Sequence, residues 1–137
     1  MHFFTDRESP RSVENMAGSD AGARDSGRGH VDARLVRDRA DTLALIATLS
    51  ATVGEIIDAA THVAVDDEHD PEGQTLAFER AQASALLDEA RTRLAEIEAA
   101  RDRLKTGTYG VCEQCGQAIV AERLEVRPTA RTCVGCA

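Results

Sequence analysis

The chain has 137 residues, with three Phe, one Tyr and no Trp, and alanine supplies much of its 42% apolar content. A compact globular core needs large side chains, because a fully buried Leu or Phe contributes only about 1.5–3 kcal/mol. The composition therefore excludes a broad core and favours an elongated, helical or metal-stabilised molecule. The formal net charge of −8, from 16 basic and 24 acidic residues, argues against a general nucleic-acid or anionic-membrane surface.

Residues 1–30 are predicted to form a disordered tail, because Gly, Ser, Asp and Arg alternate there without hydrophobic periodicity. This stretch lacks a basic region followed by an apolar run, so we expect no signal peptide. No uninterrupted apolar run approaches the length of about 18 residues that predicts a membrane span. We therefore expect a cytoplasmic protein without membrane contact. The sequence does not decide between Met1 and Met16 as the start of translation.

Residues 31–105 are predicted to form an antiparallel two-helix coiled-coil hairpin. In the first half, one seam with spacings of three and four is broken by Arg39 and Ser50 and otherwise contains apolar residues, namely Val36, Leu43, Ile46, Val53, Ile57, Ala60 and Ala64. A second seam begins near Thr75, has Arg101 at its one polar position, and contains Leu76, Ala83, Leu87, Ala90, Leu94, Ile97 and Leu104. Each seam is a narrow apolar stripe along one face of its helix, so each helix needs a partner helix to bury that stripe. Pro71 and Gly73 lie between the seams and are expected to end the first helix and permit the reversal.

Segment 66–74, which we call the acidic tip, joins the two predicted helices. It contains five acidic residues and no Lys or Arg, the acids being Asp66, Asp67, Glu68, Asp70 and Glu72. One interpretation is a solvated turn, because carboxylates are common at loop ends. The other is a binding surface that a long stem carries to a distant basic or metal-containing site, since carboxylate oxygens suit Mg²⁺. The sequence leaves both interpretations open.

All four cysteines of the chain lie near its end, in two CxxC pairs formed by Cys112, Cys115, Cys133 and Cys136. Two such pairs at this spacing can place four thiolates around one Zn²⁺. A thioredoxin-like redox site would require a βαβ pattern, which the sequence lacks, and a catalytic zinc would use His or carboxylate ligands and an open position. We therefore predict one structural zinc ion in a zinc finger at 106–137, above a small apolar floor of Ile119, Val120 and Leu124.

The residues around these cysteines resemble the DksA/TraR C4-type zinc-finger family. The similar residues are the run GTYGVCEQCG at 107–116, then Ile119, Glu122-Arg123-Leu124, Arg127-Pro128-Thr129-Ala130 and Cys133-Val134-Gly135-Cys136. With the hairpin, the resemblance covers about residues 31–137. It implies a bacterial transcription regulator that is not an enzyme and binds RNA polymerase directly rather than DNA. Members of the family insert a coiled coil into the secondary channel of the polymerase to modulate initiation.

The resemblance also bears on the acidic tip and on nucleotide binding. Asp67 and Asp70 match the spacing of two aspartates at the family's tip, whereas Glu72 replaces an alanine there. We predict that Asp67, Asp70 and Glu72 form the partner-binding tip. Lys105 is the single lysine of the chain, so we do not extend the family's dependence on the alarmone ppGpp to this protein.

Direct sequence-specific DNA binding through the zinc finger is not expected, because acidic residues offset its three arginines. Two alternative functions stay open beside channel insertion. The tip carboxylates could hold Mg²⁺ and stimulate transcript cleavage by the polymerase. The hairpin could also act as a general coiled-coil protein-interaction module. Target promoters, the sign of the effect and the oligomeric state do not follow from the sequence.

Overall fold

The computed structural model describes residues 17–63 and 71–137, with side chains from residue 25 onwards and without that of Val63. The chain is mainly helical. Helix α1 spans Ala17–Val63 and helix α2 spans Pro71–Thr106, and these two helices pack along each other. A short helix α3, Ala121–Val126, and a 3₁₀ turn, Val134–Cys136, lie in the C-terminal module. An isolated antiparallel bridge joins Val111 and Ala118.

The pairing of α1 and α2 is antiparallel, which confirms the predicted hairpin. Arg39 on α1 contacts Glu98 on α2 at 3.2 Å, and Asp32, about two turns earlier on α1, contacts Arg101 at 3.6 Å. Residues nearer the start of α1 therefore pair with residues nearer the end of α2. Arg39 and Arg101 were the charged residues interrupting the predicted seams, and each has an acidic partner on the opposite helix.

Helix α1 begins at Ala17, so residues 17–30, which the sequence placed in the tail, are helical in the structure. Once a helix has nucleated, each further residue adds a backbone hydrogen bond, and this gain offsets the roughly 1 kcal/mol that each glycine costs. Residues 1–16, including Met1 and Met16, lie outside the described residues. The predicted domain boundary at residue 31 coincides instead with Val31, the first residue of α1 that packs against the core cluster.

Helix α2 begins at Pro71, earlier than the sequence indicated. Proline is favoured at the first helical position because its missing N–H is not needed there, and Glu72 in the first turn suits the positive end of the helix dipole. Gly73 is therefore a helical residue and not part of the reversal. At the other end, Gly107 follows the last helical residue with φ of +79°. The N–H groups of Thr108 and Tyr109 bond there to the Arg103 carbonyl, as the predicted glycine cap requires.

The buried seam of α1 is one residue out of register with part of the prediction. Leu35 is fully buried, whereas Val36, Leu43 and Ile57 from the predicted seam are 44%, 38% and 40% exposed. Thr42 is buried in place of Leu43, and its hydroxyl donates to the Asp38 carbonyl at 2.7 Å. This local bond satisfies the only polar group of Thr42 and allows it to lie inside.

The second seam is predicted correctly at most positions. The buried residues of α2 are Ala83, Leu87, Ala90, Ile97 and Ala100. The main core cluster forms where Ile97 and Ala100 meet Leu35, with Val31, Leu104 and Tyr109 packed around them. The core is therefore concentrated where the stem joins the C-terminal module, and among the described residues of the stem none beyond Thr42 on α1 or before Ala83 on α2 is buried.

Over Asp25–His62, α1 is long and apolar enough to cross a membrane when judged by length and composition, with a mean hydropathy of 1.6 in its most apolar window and none of that window buried. The stretch of α2 that pairs with it exposes charged residues, including Glu79, Arg80, Asp88 and Glu89. Each charge at a bilayer centre costs about 2.5–3.5 kcal/mol. The composition of α1 is therefore compatible with a hydrocarbon environment, whereas the exposed charges of α2 would be destabilised there.

Candidate zinc centre and acidic tip

The first CxxC pair lies in a tight turn that follows the end of α2. The Gly116 N–H bonds to the Cys112 carbonyl at 3.0 Å, and the Cys112 N–H bonds to the Gln117 carbonyl at 2.8 Å. Gly116 has φ of +71°, a left-handed conformation that glycine adopts without strain. The turn brings the backbone back on itself, so that both cysteine side chains of the pair point to one side.

The second CxxC pair lies in the 3₁₀ turn at Val134–Cys136, where the Cys136 N–H bonds to the Cys133 carbonyl at 3.1 Å. The two pairs are joined directly, because the Glu113 N–H donates to the Arg131 carbonyl at 3.0 Å. Backbone bonds therefore fix each turn and also set the distance between the two turns.

The four cysteines meet at one point. Their sulfur atoms all lie within 4.8 Å of one another, and those of Cys115 and Cys133 are 3.7 Å apart. A tetrahedral Zn²⁺ with Zn–S distances near 2.3 Å places its sulfurs about 3.8 Å apart. All four cysteines are free of disulfide bonds. The cluster therefore fits one zinc ion with a closed coordination shell, and a closed shell is typical of structural zinc.

The electrostatics of the cluster also favour a cation. The pKa of the Cys112 thiol is lowered to about 6, because the backbone N–H groups of Cys115, Cys133 and Gln114 donate to its sulfur. The pKa of Cys136 is raised to about 12, because hydrogen bonds from its thiol to the sulfurs of Cys133 and Cys115 favour the protonated form. Four sulfurs this close cannot all ionise unaided, and a bound Zn²⁺ supplies the charge that lets them do so.

The apolar floor beneath the cluster differs from the prediction at one position. Ile119 is buried and Leu124 is half-buried, as expected, but Val120 is 55% exposed. Val120 immediately precedes α3 with an extended backbone, which turns its side chain to solvent. Ala130 is also buried in this module.

Three polar side chains hold the zinc-finger module against the stem, and the sequence analysis did not single them out. The Arg34 guanidinium of α1 donates to the Glu125 carbonyl. Arg103 of α2 donates to the Thr129 carbonyl at 3.3 Å and lies 3.7 Å from the Glu113 carboxylate. The Tyr109 hydroxyl donates to the Pro128 carbonyl at 2.7 Å. Tyr109 is the single tyrosine of the chain. This was the one feature of the sequence that could have indicated these contacts.

Partial burial between the stem and the zinc finger shifts the pKa values of Arg103 and Tyr109. Partial burial lowers the pKa of Arg103, and the nearby Glu113 carboxylate opposes that change. Partial burial also raises the pKa of Tyr109. The phenol of Tyr109 therefore stays protonated and keeps its hydrogen bond over the whole physiological pH range.

Asp67 and Asp70 of the acidic tip lie outside the described residues. Glu72, the third predicted tip residue, is exposed in the first turn of α2. Val63 and Pro71, which flank the undescribed segment 64–70, end and begin the two helices at the end of the stem opposite to the zinc cluster. Chain connectivity thus separates the acidic segment from the four cysteines by the length of the stem.

The fold and the cysteine cluster define a helical-hairpin protein with a C-terminal C4 zinc finger. A family model described as the prokaryotic dksA/traR C4-type zinc finger matches residues 107–137. This match places the module at 107–137 in the dksA/traR C4-type zinc-finger family. The family match and the four close cysteines identify one structural zinc ion in this module.

Several known proteins are similar to the chain. General stress protein 16O of Bacillus subtilis is 41% identical over 68 residues, which are 50% of this chain and 42% of that protein. RNA polymerase-binding transcription factor DksA of Haemophilus influenzae is 43% identical over 49 residues, or 36% of this chain and 34% of that protein. These matches thus span less than half the length of either relative.

The fold has a solved counterpart in transcription factor DksA2 from Pseudomonas aeruginosa. The two structures superpose with a TM-score of 0.68 and 23% sequence identity, and the match covers 81% of this chain and 80% of that chain. This similarity extends well beyond the zinc finger and includes most of the helical hairpin, which supports the mainly helical architecture.

Proposed function

We propose that this protein is a transcription regulator that binds RNA polymerase and inserts the acidic end of its stem into the secondary channel to modulate initiation. In this proposal Cys112, Cys115, Cys133 and Cys136 are the zinc ligands, and Asp67, Asp70 and Glu72 contact the polymerase. The protein acts as a binding factor and not as an enzyme, and a cytoplasmic location follows from its partner. The similar DksA proteins of Haemophilus influenzae and Escherichia coli are RNA polymerase-binding transcription factors, which supports the choice of partner.

The observation that carries the proposal is the separation of the two functional ends by a long paired stem. Helix α2 has 36 residues, which correspond to about 54 Å at 1.5 Å per residue. The zinc finger, fixed to the base of the stem by Arg34, Arg103 and Tyr109, supplies a broad end that stays outside a narrow opening. The thin end carries the acidic segment. This shape suits entry into a deep, narrow channel.

Electrostatics supply the interaction at the thin end. The tip contains five acidic residues and no Lys or Arg within 66–74. A narrow cavity with low-dielectric walls focuses the field of such charges, so the tip would be attracted to basic loops or to a bound metal ion there. Because exposed charges are screened by salt, the affinity should fall as the ionic strength rises.

The test is binding of the zinc-loaded full chain to core RNA polymerase, with the double variant Asp67→Asn/Asp70→Asn. Its matched control is Asp41→Asn/Asp102→Asn, which removes the same number of charges from exposed positions on the stem away from the tip. We expect the wild type and the control to bind alike. The tip variant should lose activity on open-complex lifetime while it keeps its zinc content and helical circular dichroism.

Three outcomes would overturn the proposal or its details. Absence of binding to core polymerase would remove it. Equal loss in the tip and control variants would show that net charge, and not the tip, determines binding. Shortening of RNA in stalled complexes, dependent on the tip carboxylates, would assign the protein to transcript cleavage instead.

A further inference from the structure

A groove lies between the early turns of α1 and the zinc finger, beside the base of the stem. We call it the basal groove. One wall is the face of α1 that contains Gly27, Arg28 and Val31, and the other wall includes Ala121 and Leu124 of α3. Its volume is about 1140 Å³. Small-molecule pockets usually have about 300–1,000 Å³, so the basal groove is large enough to hold a polypeptide segment.

The floor of the basal groove is the open side of the main core. Val31, Leu104 and Tyr109 pack against the core cluster with one side and line the groove with the other. All three side chains are only half-buried. A segment that covered the groove would remove the remaining apolar surface of these residues from water, which is favourable. The groove is therefore a place where the core of this chain can be extended.

We propose that the first residues of the chain itself fold back and dock in the basal groove, with Phe3 and Phe4 against Tyr109. Residues 1–16 precede α1 and lie outside the described residues. They include two of the three phenylalanines of the chain, adjacent to each other, in a segment that is otherwise mostly polar or charged. Aromatic side chains gain the most from burial, so this pair is the part of the segment that fits an apolar floor.

The segment is long enough to return to the groove. Ala17, the first residue of α1, lies about 21 Å from Val31 along the helix at 1.5 Å per residue. The stretch from Phe4 to Ala17 can span up to about 43 Å when extended, at about 3.3 Å per residue. Pro10 lies within this stretch, and proline opposes the continuation of a helix through it, so the chain can reverse direction there.

Docking at the basal groove leaves the rest of the stem free. None of the groove's lining residues lies beyond Arg34 on α1 or before Leu104 on α2. The groove is thus at the zinc-finger end of the stem, opposite to the acidic tip. The interaction is compatible with entry of the tip into the polymerase channel, and its test does not depend on that proposed function.

The first experiment detects the contact directly, by NMR of the zinc-loaded full chain with isotope-labelled Phe and Tyr rings. With one Tyr and three Phe in the chain, each ring can be assigned. We expect NOEs from the ring of Phe3 or Phe4 to the ring of Tyr109. Phe78, which is 70% exposed on α2 towards the acidic tip, is the internal control and should show no NOE to Tyr109.

The second experiment measures the exposure of Tyr109 by acrylamide quenching of its fluorescence. The emission comes from this residue alone, because the chain contains no Trp. The double variant Phe3→Ser/Phe4→Ser should increase the quenching, because it removes the cover of the groove, whereas the control Phe78→Ser should not. Far-UV circular dichroism and zinc content show whether each variant is folded.

A third measurement changes the groove instead of the segment. Ala121→Glu places a charge in the apolar wall on α3, so it should weaken docking and increase the quenching of Tyr109 in the same way. The matched control is Val126→Glu, on the same helix and 79% exposed, at a position that does not line the basal groove. This control should leave the quenching unchanged.

The proposal fails if no NOE joins Phe3 or Phe4 to Tyr109, or if Phe3→Ser/Phe4→Ser leaves the quenching of Tyr109 unchanged. It also fails if the control variants increase the quenching as much as the variants they are matched to. Protection of Tyr109 that disappears on dilution from about 1 mM to about 1 μM would assign the groove to a second copy of the chain and overturn docking within one chain.

Discussion

Ile97 is the side chain on which the junction of stem and zinc finger depends most. It is 1% exposed and packs against Leu35 and Ala100. The substitution Ile97→Ala removes three carbon atoms, worth about 0.8 kcal/mol each in transfer free energy, or about 2.4 kcal/mol together. A cavity term adds to this, and measured values for such changes are about 2–5 kcal/mol. We expect about 3 kcal/mol, because a seam between two helices closes a cavity more easily than a layered core does.

Urea denaturation of the zinc-loaded protein, followed by far-UV circular dichroism, measures this loss. The control is Leu86→Ala, a similar truncation on the same helix at a side chain that is 46% exposed. It should cost well under half as much, since about half of its surface is already in water. Equal losses for the two variants, or a loss below about 1 kcal/mol for Ile97→Ala, would refute the assignment of the main core to this junction.

Three further results are expected at the zinc finger and its joint. Tyr109→Phe should cost about 0.5–1.5 kcal/mol in thermal unfolding and leave the zinc content unchanged, because it removes only the hydrogen bond to Pro128. Cys112→Ser, or removal of zinc by a chelator, should unfold the finger in NMR spectra while α2 keeps most of its helical signal; intact finger resonances would contradict a structural zinc. Zinc affinity measured by competition should rise with pH between about 6 and 8, because Cys115 and Cys136, whose thiol pKa values are raised, must lose their protons on binding. A pH-independent affinity would contradict this proton release.

The zinc finger could be predicted from the sequence almost completely, because its geometry is set locally. Two CxxC pairs and Gly116 define turns that close within a few residues, and backbone hydrogen bonds complete them. The same holds for the end of α2, where Gly107 adopts the left-handed conformation of a helix cap. Turns and helix caps of this kind can be predicted from the sequence, because residues close together in the chain make all the interactions that define them.

The buried seam of α1, by contrast, could not be predicted correctly from the sequence. Leu35 and Val36, like Thr42 and Leu43, are adjacent in the sequence, and hydrophobicity alone favours Leu43 over Thr42. The structure buries Leu35 and Thr42 instead. The choice depends on which stripe faces α2, and the helix has two apolar stripes of similar periodicity, so periodicity could not separate them.

The sequence by itself determined the composition of the parts: two long helices, a reversal between them, an acidic segment and four zinc-binding cysteines. Only the tertiary structure decided how these parts meet. It showed which face of α1 is buried and that this helix begins at Ala17. It also showed that Arg34, Arg103 and Tyr109 form the hydrogen bonds that hold the zinc finger on the stem. The physical reason is the range of the interactions. Turns and metal-ligand spacings act over a few residues, whereas the register of two helices depends on side chains that lie more than fifty residues apart in the chain.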